Sequence, residues 1–220
     1  MNKKIFIILL IIFLVVPAAG ANAARELTGD KLDLQQTENG QIITALGNVE
    51  LIYDELRITA EDEAIYRRFN GEIEFRKNVE FFYQEYQGQA VELTGNLEEE
   101  IIHLIGEAVI TSPTSHLEGD KISVFQAEDR IEVNGNVYLE YNDFWAEADQ
   151  LTYYLDREFM NLKGNVKGER NGESFEAQAA ELDQKTEEVK LQGQAKVTLP
   201  KEEVSANTSD QNPEAAENDN

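Results

Sequence analysis

The side chains able to do acid–base, nucleophilic or metal chemistry are few and poorly grouped. Cysteine is absent, and the only histidines are His103 and His116. His103 falls on the outward parity of an alternating stretch, where a surface role outweighs that of a base. His116 follows Ser115 in a Ser/Thr/Pro loop, and no segment supplies a matching acid and nucleophile for a serine triad. Two carboxylates can hydrolyse a glycoside, but among 43 acids some pair falls at any chosen spacing, so that pattern selects nothing. Glu98-Glu99-Glu100 with His103 reads better as a solvated turn than as a metal site, and no EF-hand, zinc or phosphate-loop pattern occurs. The sequence points away from an enzyme and asks for no cofactor and no metal.

What the sequence offers instead is apolar surface at a strict period. In Ile131-Glu132-Val133-Asn134-Gly135-Asn136-Val137-Tyr138-Leu139-Glu140-Tyr141 the odd positions are apolar or Gly, and the even ones are polar except Tyr138. A period of two is the mark of a β-strand with one sheltered face. The pattern recurs five more times, and its centres are Gly47, Lys77, Gly106, Gly135, Gly164 and Gly193, spaced by 30 residues once and by 29 four times. Such regularity defines a repeat protein. The inward positions we single out are Val49, Leu51, Phe75, Val79, Phe81, Leu104 and Ile110 in the first three copies. In the later copies they are Val133, Val137, Leu139, Leu162, Val166 and Leu191. A stripe of this kind can bury an acyl chain at a gain of ~0.8 kcal/mol per CH2, roughly ten kcal/mol for a dozen carbons. It can equally be an ordinary core in which two halves of a sheet pack on each other. The pattern leaves both open.

The elements that carry the stripe follow from the same repeat. A Gly on the inward parity of a strand weakens it and needs a reason, either a sharp bend or close approach of another backbone. Gly47, Gly106, Gly135, Gly164 and Gly193 therefore predict bends stacked on one another, and the bend at Lys77 is expected to be looser or open to solvent. Between the Gly-centred strands lie second strands such as Ile58-Thr59-Ala60 with Ile65, and Leu117-Glu118-Gly119 with Ile122 and Val124. Their apolar set changes parity after the small residue, which suggests a bulge or corner. Turn residues such as Phe69-Asn70-Gly71 and Asn171-Gly172 join neighbours closely enough to require antiparallel pairing. The expectation is an all-β, repeat-built antiparallel sheet of about a dozen strands, bent into a V or flattened roll, with almost no helix.

The ends differ from the repeat. Lys3 and Lys4, an apolar run from Ile5 to Val16, Pro17 and the small residues ending Ala21-Asn22-Ala23 describe a secretory signal peptide over 1–23, cleaved after Ala23. The rival is a leader retained as a membrane anchor. No Cys follows the run, so a lipid-anchored lipoprotein is excluded, and nothing later is apolar for long enough to cross a bilayer as a helix. The domain spans 24–199, and 200–220 read as a disordered acidic tail. Without cysteine, stability rests on strand pairing and burial. The formal net charge is −24, or −26 once Lys3 and Lys4 leave with the leader. A surface so negative repels nucleic acid. Its acids sit mostly at outward strand positions, such as Glu74, Glu132 and Glu140, as a saline habitat would produce.

Gly47-Asn48-Val49 with Ala60-Glu61-Asp62 resembles the repeat of the OstA-like (LptA) family. So do Gly135-Asn136-Val137 with Ala146-Glu147-Ala148-Asp149, and Gly164-Asn165-Val166 with Ala177-Gln178-Ala179. Each motif is weak alone, but their repetition over roughly 27–199 behind a signal peptide is fairly specific. The resemblance implies a twisted β-jellyroll in the periplasm whose interior holds the acyl chains of lipopolysaccharide or a related glycolipid. It implies partners too: a head-to-tail homo-oligomer bridging an inner-membrane transporter complex and an outer-membrane translocon. It carries no enzymatic activity and no nucleic-acid partner. The departures are the heavy acidity and the acidic tail. A membrane-anchored relay component of the same pathway, or a structural β-repeat protein with a filled core, are the alternatives.

Overall fold

The computed structural model describes residues 25–142 and 144–199; the leader and tail expected from the sequence lie outside them. The chain runs through β1 (Arg25–Thr28), β2 (Lys31–Thr37), β3 (Gly40–Leu46), β4 (Val49–Tyr53), β5 (Leu56–Ala60) and β6 (Glu63–Arg67). Long strands follow: β7 (Glu72–Tyr83), β8 (Tyr86–Asn96), β9 (Ile101–Ser112), β10 (Ser115–Phe125) and β11 (Arg130–Tyr141). The series ends with β12 (Phe144–Tyr154), β13 (Phe159–Arg170), β14 (Glu173–Asp183), β15 (Glu188–Gln192) and β16 (Lys196–Thr198). All belong to one 16-stranded sheet, and every pairing is antiparallel, β8 with β9 and β9 with β10 for instance. A single 3-10 turn at Gln126–Glu128 is the only helical segment among the described residues.

Sixteen strands amount to twelve passes of the chain. Eight passes bend without losing strand geometry, whereas four break in two at the bend: β1/β2, β3/β4, β5/β6 and β15/β16. The dozen strands read from the sequence are these passes. The breaks fall in the first three passes and the last, where a neighbour is missing or the repeat is irregular. The one 30-residue interval has its cause here. Two residues, Glu61 and Asp62, separate β5 from β6, while the later passes β8, β10, β12 and β14 turn their corner with one fewer.

Each bend is built from two consecutive residues in left-handed conformation. Their φ values run from 68° to 79° at the first (47, 77, 106, 135, 164, 193) and from 46° to 50° at the second (48, 78, 107, 136, 165, 194). At the bends of residues 77, 106, 135 and 164 these two residues face a single residue on the next pass: Asn134 pairs with Gln150 and Val137 with Ala148, which sets Gly135 and Asn136 against Asp149. That is a β-bulge, with the extra residue on the Gly-centred pass. The second pass rounds the corner with the shorter count, which is why its apolar parity changes. Lys77 adopts the same conformation as the glycines, at φ 68°, so its bend is no looser than the others, although the side chain is exposed.

The bend glycines do not face the interior. A Cβ added to Gly135 would stand 2.1 Å from Asp120 Oδ2, and one on Gly164 would stand 2.1 Å from Asp149 Oδ2. The carboxylate lies across the glycine and accepts a hydrogen bond from the next side chain: Asn136 Nδ2 donates to Asp120 Oδ1 (2.9 Å) and Asn165 Nδ2 to Asp149 Oδ2 (3.0 Å). The first bend repeats the arrangement, with Asn48 Nδ2 donating to Asp30 Oδ2 (3.0 Å). At the second, Lys77 Nζ pairs with Glu61 Oε2 (3.4 Å). A hydrogen bond from Asn78, followed by one from Lys77, holds the Glu61 carboxyl below its ordinary pKa. The third bend lacks this clasp, because Val91 takes the acid's place and touches Gly106.

Bending every pass divides the sheet into two limbs. One runs from β2 through β3 and β6 to β15, the other from β1 through β4 and β5 to β16, and each long strand contributes half its length to both. The inner faces of the limbs share one hydrophobic cluster, in which Phe75, Leu104 and Val133 of the first limb join Val79, Ile110 and Val137 of the second.

The clasp makes Gly135 intolerant of a side chain for two separable reasons. Gly172 is the control: its φ is +80° but nothing lies within 4 Å of an added Cβ. Gly172→Ala is expected to cost only the left-handed strain, about 1–2 kcal/mol. Gly135→Ala carries that strain plus the collision with Asp120, at least ~1 kcal/mol more. Urea denaturation midpoints of the two variants check the difference.

Candidate functional site

The interior stripe is assembled by period-two alternation on both sides of the bends. Val49, Leu51, Phe75, Val79, Phe81, Leu104, Ile110, Val133, Val137, Leu139, Leu162 and Val166 are all buried in the common cluster, while Leu191 on the last full strand of its limb is only partly buried. The structure brings all thirteen to one inner surface. It adds residues from the intervening passes that the Gly-centred reading did not single out, among them Ile58, Leu93, Ile122 and Leu151, each at most 2% exposed. Their signal was present in the parity of the second strands. Small residues make room for large neighbours on the adjoining pass: a Cβ on Gly88 would fall 1.7 Å from the Phe81 ring, and one on Gly168 2.4 Å from that of Phe175. Between the ends of the roll, the two limbs fill the interior with their own side chains.

At the rim opposite the bends, the strand ends of both limbs carry buried tyrosines. Tyr153 of the first limb and Tyr86 of the second are both buried, and the Tyr153 hydroxyl donates to Gln184 Oε1 (3.0 Å). Burial, then the nearby Glu158, raises the Tyr153 pKa well above the ordinary phenol range. Burial, then Glu85, pushes Tyr86 up to about 12. Both remain neutral hydrogen-bonding groups at physiological pH.

The stripe reaches the surface at the two ends of the sheet. Leu32 and Leu34 on β2 are 45% and 59% exposed, and Val197 and Leu199 at the far end are 52% and 67% exposed. Beside Val197 a cleft of about 340 Å³ opens, lined by Phe175, Val189 and Leu191 under a polar margin of Arg170, Asn171, Glu173 and Glu187. Parity places Leu32 and Leu34 on the inner face, because they pair with Ala45 and Ile43.

The reactive side chains have other uses. His103 is half-buried on the outer face, with its Nδ1 2.9 Å from the hydroxyl of buried Ser123 and its ring edge against Phe125. His116 bonds Glu118 beside Tyr138. Neither histidine meets both a nucleophile and an acid. Glu98 and Glu99 begin a turn whose backbone N–H groups donate to Asn96 Oδ1 (2.9 and 3.0 Å). Among the described residues, no three His, Asp or Glu side chains are placed to hold a metal ion.

An antiparallel roll with stacked bends, an apolar interior and solvated acids outside defines a β-jellyroll. The family model described as LptA/(LptD N-terminal domain) LPS transport protein matches residues 25–130 and 123–187, and the chain belongs to that family. Among solved structures it is similar to LptH, the LptA-homologous periplasmic component of the conserved lipopolysaccharide transport device from Pseudomonas aeruginosa. That similarity has a TM-score of 0.50 at 15% identity and covers 54% of this chain and 96% of LptH, so the fold is shared and the present chain extends well beyond the match. No curated protein matches the sequence.

His103 gives the outer face a pH signature. Burial, reinforced by Lys121, lowers its pKa below the ordinary 6.5, so the folded state resists its protonation while the unfolded chain accepts it. Stability should be complete above pH 6.5 and decline as pH falls from there towards the folded pKa. His103→Asn should flatten the decline of melting temperature between pH 6.5 and 5, which thermal denaturation across that range checks.

Proposed function

We propose that this protein carries lipopolysaccharide, or a glycolipid of the same kind, through the periplasm by sheltering its acyl chains along the inner stripe. It would do so as one segment of a bridge between an inner-membrane transporter complex and an outer-membrane translocon. The observation that carries this reading is that the stripe runs through every repeat and emerges, among the described residues, uncapped at both ends. A purely structural core gains nothing from leaving Leu32, Leu34 and Val197 in water. At each end the inner face meets a strand edge that is unpaired among the described residues, a surface suited to strand addition. Copies stacked end to end would make the stripes continuous.

Cargo is held by its apolar part. Lipopolysaccharide head groups are anionic and the outer face is strongly acidic, so attraction rests on acyl burial at ~0.8 kcal/mol per CH2. Since the resting interior is filled, chains enter where the limbs part, either at the open ends or along the tyrosine rim. Replacing each displaced side-chain contact by an acyl contact leaves the interior apolar throughout. The leader over 1–23 is removed after Ala23. A mature chain beginning at Ala24 by intact-mass measurement is the expected result, and a retained leader would instead favour the membrane-anchored relay.

Adjacent residues on opposite faces test the cargo surface without breaking the fold. Phe81 is buried on the inner stripe, whereas Phe82 lies on the outer face near Arg57. A photoreactive phenylalanine analogue at position 81 is expected to cross-link added lipopolysaccharide at least tenfold more than the same analogue at 82. Equal labelling at the two positions, or labelling at neither in a folded protein, would return the interior to a filled structural core.

A further inference from the structure

We propose that successive copies join in one fixed register, set by the bulge, in which Gly193 and Gln194 of one copy lie opposite Asp30 of the next. This rests on the end-to-end stacking just proposed and adds its residue pairing. The two limbs each contain twelve passes with alternating direction. Because twelve is even, the last strand of each limb runs opposite to the first, so a second copy placed end to end continues the antiparallel order on both limbs at once. An odd number would have forced parallel pairing at the junction.

The register then follows from the internal repeat. At three successive internal joints, the residue before the bend Gly pairs with the residue after the one facing the bulge: Ile105 with Lys121, Asn134 with Gln150, Lys163 with Ala179. Beyond the bend the pairs are Ala108 with Gly119, Val137 with Ala148, and Val166 with Ala177. In the first and last passes the equivalent positions are Asp30 and Gly193. Asp30 N–H donates to Gly47 O (2.9 Å) just as Gln178 N–H donates to Gly193 O (2.9 Å). Carrying the rule across the junction pairs Leu191 with Leu32, Val189 with Leu34 and Lys190 with Asp33 of the next copy. On the other limb it pairs Val197 with Leu27.

The paired residues are chemically matched. Leu191, Val189 and Val197 each meet an apolar residue on the inner face, so the exposed ends of the stripe cover one another. Lys190 meets an acid on the outer face, in place of its present partner Glu188, which stands 3.5 Å away. A slip of one residue would set Leu32 and Leu34, held inward by Ala45 and Ile43, against outward-facing residues of the neighbouring copy and break every one of these matches. The backbone fits too. At the first bend the Gly47 and Asn48 N–H groups donate to Asp62 O (2.7 Å) and Glu61 O (3.2 Å) of the following pass. At the last bend the equivalent groups of Gly193 and Gln194 have no following pass among the described residues, and the Asp30 region of a second copy supplies one.

The absence of cysteine makes the test clean. Two single variants of the mature chain, Lys190→Cys and Asp33→Cys, are mixed and oxidised. Paired residues on neighbouring antiparallel strands stand about 4.5–5.5 Å apart at Cα, within disulfide reach. Disulfide-linked heterodimers are expected at least fivefold above those from Lys190→Cys mixed with Gln35→Cys, a two-residue shift on the same face. A reversed preference would overturn the register while leaving stacking in place. No cross-link from either mixture, with both proteins folded by circular dichroism and the position-81 lipid cross-link retained, would overturn stacking itself without touching the carrier reading.

Discussion

The roll depends on a mismatch of one residue. Two strands that bend together at the same place must follow paths of different length, and from the second bend to the fifth the chain meets that demand by giving the Gly-centred pass two left-handed residues against one on the pass that follows. Left-handed backbone costs an ordinary residue about 1–2 kcal/mol, so the position favours Gly first and Asn second, the pair found at three of the six bends. The clasping carboxylate adds a polar contact where the bend would otherwise leave an Asn amide to water. It also excludes a side chain at the glycine it covers. Strain, hydrogen bond and exclusion thus meet in one motif, and repeating that motif at constant spacing keeps the inner faces of the two limbs opposed.

From that constraint the interior follows. Once the bends are aligned, alternation places the apolar residues of every pass on a single surface, and the acids are left on the solvated face. The same alternation that buries Val133 and Leu162 to 0% exposure leaves Leu32 and Leu34 uncovered, because burial here requires a neighbouring pass on each side and the first pass has only one. The exposed ends are therefore a direct result of building a core by repetition.

Much of this was legible in the sequence because a period of two and a spacing of 29 are both one-dimensional signals. Gly106, Gly135 and Gly164 announced the bends, and the stripe from Val49 to Val166 announced the core. What could not be read was which side chain lies across which glycine, since Asp120 and Gly135 are brought together by pairing of different passes. Parity alone turned the glycines inward, whereas two left-handed residues rotate them towards the acids on the bend. Lys77 looked like a defect by residue type, yet the neighbouring bends impose their backbone on it and Glu61 accepts its ammonium group. His103 was read as a surface side chain, and its half-burial comes from its cross-strand neighbours Ser123 and Phe125 on the next pass, which no local pattern encodes.

Each pass pairs with the pass before it and the pass after it in the sequence, so no contact in the sheet waits for a distant part of the chain. An architecture of this kind gains stability by addition of neighbouring units, and its local contacts favour rapid folding despite the all-β content. The chain can therefore build its roll progressively, from the first hairpin onward, in the order in which it is synthesised. At every intermediate stage the growing end presents the same kind of edge that the finished protein presents at β15 and β16. Assembly between copies would then be the last round of the process that folded each of them.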